Sequence, residues 1–204
     1  MSASANEGVA MSSIETVPES DATGRRADLY AEDREEYGFV PDHTRVMTVN
    51  LGAYEAWENL ISAIARPMGL RRYELVTLAA ARGAGSRHCR LAHGRKSISL
   101  FGEDQLLRIA HDYRDAGLSG AEVAMMEYAE RISRDAGSIT DADLDVLRGH
   151  GFTDRDIVDI ALAAAARNFY SRAIQALAAE VEDLPGLSPA LARALTENLA
   201  PTTP

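Results

Sequence analysis

Glu74-Leu-Val-Thr-Leu-Ala-Ala-Ala-Arg-Gly-Ala-Gly-Ser86-Arg-His88-Cys89-Arg-Leu-Ala-His93 brings a carboxylate, a hydroxyl, a thiol and two imidazoles into twenty residues. The stretch reads as two helices. One covers about Arg71 to Arg82, Gly83-Ala84-Gly85 breaks it, and Ser86 is the N-cap of the next, which reaches about Leu100. Cys89 then falls in a first turn, where free backbone N–H groups and the helix dipole favour negative charge. His93, four residues on, shares its helix face, as does Ser86 three residues before it. An imidazole so placed accepts a thiol proton or gives one to a leaving group, and the Ser86 hydroxyl is a candidate donor to a sulfur anion. The glycine turn folds the Glu74 helix back towards the thiol. In an apolar bundle this carboxyl is expected to have a raised pKa and to relay protons. Two cysteines in this frame would form a redox dithiol. The chain has only one, and Ser86 stands where the other would be, so no disulfide closes here.

The rest of the chain is helical around this segment. Leu51, Tyr54, Leu60, Ile61 and Ile64 recur at helical spacing, so a helix is expected over about Leu51–Arg66, closed by Pro67 and Gly69. Further helices are expected over about Glu103–Asp115, from the capping box Ser119-Gly-Ala-Glu122 to about Asp135, and from Thr140 to near Gly149. The longest opens at Thr153 and runs to about Glu182, with an alanine-rich middle suited to close packing. A short one starts at Ser188-Pro189. Asp28–Glu36 reads as a short charged helix and Tyr37-Gly-Phe-Val-Pro41 as an apolar loop that docks on a core or a neighbouring subunit. Residues 1–26 read as a flexible leader. No strand pattern is present, and the reading is an all-α helical bundle.

Composition narrows the function. With 204 residues, 46% hydrophobic, the chain can bury one sizeable core. The formal charge of −10 without a basic stripe argues against nucleic acid. No apolar stretch is long enough for a bilayer and the N-terminus lacks a signal-peptide pattern, so a cytoplasmic protein without membrane association is expected. One Cys and two His are thin for zinc; neither a metal nor a cofactor is expected. Each residue also has a plain structural reading. A lone cysteine packs as a small hydrophobe, Ser86 is simply an N-cap, Glu74 and His88 are solvated, and His93 is a surface or hydrogen-bonded core residue.

Glu-x11-[Cys/Ser]-x2-Cys-x3-His resembles the signature of the alkylhydroperoxidase D-like, or carboxymuconolactone decarboxylase, superfamily, in its peroxidase-related branch. Tyr37-Gly-Phe-Val-Pro41, Arg72-Tyr-Glu74-Leu-Val, Leu118-Ser-Gly-Ala-Glu122, Gly151-Phe-Thr-Asp-Arg-Asp-Ile157 and Ala165-Ala-Arg-Asn168-Phe-Tyr-Ser-Arg172 support it. The likeness spans roughly residues 37–180. It implies an oligomeric helical domain (trimer, dimer or hexamer) over 27–185, followed by a C-terminal helix and tail over 186–204. It also implies that Cys89 is the attacking thiol, that Glu74 and His93 relay protons, and that His88 matches a histidine sometimes found before that cysteine. Ser86 replaces the first motif cysteine. The expected function is a thiol-dependent, peroxidase-like antioxidant enzyme that reduces small hydroperoxides, with an external thiol as reductant. The alternatives are a decarboxylase-like lyase or isomerase on a small organic acid, and a non-catalytic oligomeric protein. The lyase reading requires an arginine at the pocket; Arg82, Arg87, Arg90 and Arg167 are candidates.

Overall fold

The structure, a computed structural model, describes residues 12–197 and 199. Its helices are α1 (Gly24–Tyr37), α2 (Asp42–Met47), α3 (Leu51–Met68), α4 (Leu70–Gly83), α5 (Arg87–Phe101), α6 (Glu103–Asp112), α7 (Gly120–Asp135), α8 (Asp141–Gly149), α9 (Asp154–Ala176) and α10 (Pro189–Thr196). Short 3₁₀ turns join several of them, and the described residues contain no strand.

The bundle is organised around α4. Every residue from Tyr73 to Ala81 is buried, because α4 is enclosed by α3, α5, α7 and α9. Such a helix must be apolar all round, and Leu75, Val76, Leu78 and Ala79–Ala81 meet that demand. Each large apolar side chain removed from water contributes about 1.5–3 kcal/mol. Glu74 breaks the pattern, and a buried carboxylate has to be paired. Two glycines shape the exit from α4. A Cβ on Gly83 would lie 2.5 Å from the Glu130 carbonyl oxygen and 2.7 Å from the Ser133 Cβ of α7, so α7 approaches α4 closely only because that atom is missing. Gly85, with φ +65°, makes the reversal into α5.

On its far side α5 packs on α6 and α10. The fully buried Arg90 donates to the carbonyls of Leu195 (3.0 Å), Ala110 (3.2 Å) and Leu78 (3.4 Å), tying α5 to three neighbours. Burial lowers its pKa to about 10, which still leaves it charged at neutral pH.

Capping follows the chemistry of the sequence. Ser86 accepts from the Cys89 N–H, Glu122 and Ser119 cap α7 reciprocally, Asp156 and Thr153 cap α9, and Ser188 with Pro189 opens α10. Four features differ from expectation. Pro67 lies inside the last turn of α3, which Gly69 ends at φ +78°. α9 stops at Ala176 rather than near Glu182: Ala178 turns to φ +49°, and Asp42 of α2 takes the Glu180 N–H while Glu182 takes the Asp42 N–H. α2 itself, six residues after Pro41, is too short to leave a periodic pattern. The leader region up to residue 11 lies outside the described residues, whereas Ser12 donates to the Leu177 carbonyl, Glu19 pairs with Arg34 and Arg45, and α1 begins at Gly24. The Tyr37–Pro41 loop docks on the protein's own bundle, with Val40 buried and Phe39 against the core.

Candidate active site

Three helices deliver the site. The glycine turn folds α5 back along α4, so Glu74 and His93, nineteen positions apart, meet: His93 Nδ1 lies 2.7 Å from Glu74 Oε2. Both are buried. Burial and the Arg167 charge push His93 down to about 4, even though Glu74 works the other way. The ring is therefore neutral at pH 7, its Nδ1–H donates to Glu74, and Nε2 is left as the basic nitrogen. Glu74 departs from the raised pKa expected of it. Burial does press it upward, but His93, Lys96 and Arg167 outweigh burial and hold it low. The pair works as a carboxylate orienting a neutral imidazole.

Cys89 lies one helical turn before His93 and is 1% exposed. α9 supplies its partners. Ser171 Oγ is 3.2 Å from Sγ and Arg167 Nη1 is 3.7 Å from it; Arg167 Nη2 faces Tyr73 Oη at 3.4 Å. Arg167 is 3% exposed. Burial opposes its charge, and Cys89 and Tyr73 more than offset that, so its pKa is raised. A cation and a hydroxyl thus face the sulfur where negative charge would develop.

Glu74, His93, Cys89, Arg167 and Tyr73 open onto a cavity of about 410 Å³, with Ser171 buried behind the sulfur. Its walls are aromatic: Trp57 and Tyr170 stack at 4.4 Å, and His88 meets the His43 ring at 4.0 Å. Burial lowers the pKa of both histidines, His88 to about 4. Glu32, Glu36 and Lys96, all exposed, stand at the mouth with half-buried Asp33.

The structure brings Glu74, His88, Cys89 and His93 to one cavity, while Ser86 stays in the turn. Its hydroxyl serves the Cys89 N–H, and the hydroxyl against Sγ is Ser171. Of the four candidate arginines only Arg167 reaches the cavity. Arg82 pairs with Glu130, Arg87 is exposed, and Arg90 is held by carbonyls. Sequence reasoning did not find Tyr73, Tyr170, Ser171, Trp57, His43 or Asp33. For α9 a signal existed: Arg167, Tyr170 and Ser171 at i, i+3 and i+4 form one polar face on an alanine-rich helix. Asn168, on the other side of that helix, donates to Ser133 Oγ. Among the described residues no three His, Cys, Asp or Glu side chains are grouped to hold a metal, and no helix is long and apolar enough to cross a membrane.

No protein-family model matches the chain, and no curated protein matches it. Solved structures do. A peroxidase-related protein from Ralstonia eutropha JMP134, described as an alkylhydroperoxidase AhpD core, superposes with a TM-score of 0.73 at 21% identity, covering 85% of this chain and 94% of that one. A peroxidase-related protein from Silicibacter sp. TM1040 gives 0.70 at 25% identity, over 84% and 92%. The debrominase Bmp8, in a cysteine-to-alanine form with 2,3,4-tribromopyrrole, gives 0.69 at 17% identity, over 93% and 100%. The chain has the fold of the alkylhydroperoxidase D-like superfamily, which it shares with peroxidase-related proteins and with a debrominase.

Proposed function

We propose that the protein is a one-cysteine, peroxidase-like enzyme that reduces small hydroperoxides at Cys89. The observation that carries this reading is the convergence on one cavity of a buried thiol, an arginine against its sulfur and a carboxylate-oriented neutral imidazole one turn away, with the Ser171 hydroxyl on the sulfur from behind. His93 Nε2 takes the thiol proton. The sulfur attacks the outer peroxide oxygen, the O–O bond breaks, and the imidazolium returns the proton to the departing alkoxide, so a thiol and a hydroperoxide become a sulfenic acid and an alcohol. Arg167 holds the negative charge as it passes from sulfur to oxygen. With serine at position 86, one external thiol condenses with the sulfenic acid and releases water, and a second frees Cys89 as the external disulfide leaves.

We further propose that the protein is a homo-oligomer. Val158, Leu162 and Phe169 lie exposed along α9, as an uncovered contact face would. The test of function is hydroperoxide turnover with an added small thiol. Activity that disappears in Cys89→Ala is expected, and Ser86→Cys is expected to shift the reductant preference towards dithiols. No turnover with any thiol would overturn the reading.

A lyase or isomerase reading draws support from the presence of one candidate arginine, Arg167, at the cavity, and the debrominase among the similar structures belongs to a different reaction on the same fold. A Cys89 no faster than a free thiol, together with proton exchange from a small carboxylic acid in deuterated water, would favour that second reading.

A further inference from the structure

The chain has seven Tyr, four Phe and one Trp. Five of these, Tyr37, Tyr54, Trp57, Tyr73 and Tyr170, line the Cys89 cavity, as do three of its five histidines. A protein poor in aromatics has therefore concentrated them at one place. They are ordered as plates. Trp57 and Tyr170 stack with 30° between their planes, Tyr54 continues the wall at 5.9 Å from Trp57, and the His43 ring meets Tyr170 edge-on.

The polar atoms of the cavity are incompletely matched. Arg167 Nε, His43 Nδ1 and Asp33 Oδ2 are all buried without a hydrogen-bond partner. Arg167 directs its two terminal nitrogens to Sγ and to Tyr73 Oη, which leaves Nε as its unengaged donor. That geometry suits a single acceptor oxygen rather than the two-point fork that binds a carboxylate. Glu32, Asp33, Glu36 and Glu58 stand around the mouth with Lys96; Arg25 pairs with Glu32 and Glu58 and Arg95 with Glu36, so the entrance keeps a slight negative balance and offers an anion no cluster of cations.

We infer that the cavity binds an uncharged, planar aromatic molecule bearing one hydroxyl or hydroperoxyl group, its ring on the Trp57–Tyr170 wall and its oxygen at Arg167 Nε and His43. The inference rests on this cavity being the active site of the reading above. The cavity volume, about 410 Å³, falls in the range of small-molecule sites and accommodates a single substituted ring.

Binding tests this apart from turnover. Phenol, cyclohexanol and benzoate are titrated into the full chain by calorimetry, and each is tested for slowing alkylation of Cys89 by iodoacetamide. Cyclohexanol keeps the hydroxyl and loses the flat ring; benzoate keeps the ring and adds a charge. Phenol is expected to bind about five- to tenfold more tightly than either and to protect Cys89. Tyr170→Leu should erase the preference over cyclohexanol and Tyr170→Phe should retain it; Trp57→Leu serves if Tyr170→Leu does not fold. Equal binding of phenol and cyclohexanol, tighter binding of benzoate, or no binding of phenol would each overturn the inference. Phenol binding without hydroperoxide turnover would sink the peroxidase reading and leave this one standing; turnover without phenol binding would do the reverse.

Discussion

Arg90 on α5 and Arg167 on α9 are both almost wholly buried, yet they do opposite things. Arg90 spends its donors on three main-chain carbonyls from three helices. Those acceptors are rigid and permanent, so its charge fixes the far side of α5 in place. Arg167 faces a thiol, a phenol hydroxyl and open cavity, with Nε unengaged. Its acceptors are side-chain groups, one of which changes charge if it reacts. A buried cation is structural when the fold supplies its acceptors, and functional when it is left to meet a ligand.

The sharpest way to break this contrast is to remove each guanidinium. Arg167→Met should slow the reaction of Cys89 with peroxide by about 10²–10³-fold, while the melting temperature moves little; stopped-flow oxidation and thermal unfolding together read both. A rate loss below twofold would demote Arg167 to packing. Arg90→Met should do the reverse, costing about 3 kcal/mol of stability as its carbonyls lose their donor, with the oxidation rate per folded molecule unchanged. Denaturant titration measures the first and active-thiol counting the second.

Gly83→Ala sharpens the structural side. The new Cβ collides with the main chain of α7, and a loss of about 2 kcal/mol is expected by chemical denaturation. An unchanged midpoint would mean that the α4–α7 contact relaxes freely.

The smallest expected effect is in pH. His43, His88 and His93 have folded pKa values below the ordinary 6.5. The unfolded chain therefore binds protons that the folded one refuses, and stability falls as pH drops below 6.5. Asp33 opposes this: burial raises it to about 6, so its folded form gains protons first on acidification. Between about pH 6.5 and 5.5 a net loss on the order of 1–2 kcal/mol is expected, steeper in Asp33→Asn. A flat profile would contradict neutral histidines at the site.

What the sequence disclosed follows the range of the interactions. Helix periods, N-caps and the glycine turn are local, and α3 to α8 lie close to where those signals place them. The cysteine, the histidines and Glu74 are within twenty residues, so their meeting across one turn was legible. Arg167 was legible only as one of four equal arginines, because distinguishing it from Arg90 requires knowing what each guanidinium faces after folding. His43 and Asp33 come from α1 and α2, where no pattern points at a thiol more than forty positions away. The Glu74 pKa ran opposite to expectation because burial was foreseeable, while the 2.7 Å contact with His93, reinforced by Lys96 and Arg167, outweighs burial only once the helices are packed.

The most direct test of the central claim is the rate at which Cys89 forms a sulfenic acid, followed by dimedone trapping and intact mass, in the wild type, Glu74→Gln and Arg167→Met. The account predicts a wild-type rate at least about 10²-fold above that of a free thiol, lowered by both substitutions. A wild-type rate equal to a free thiol, unmoved by either change, would contradict it.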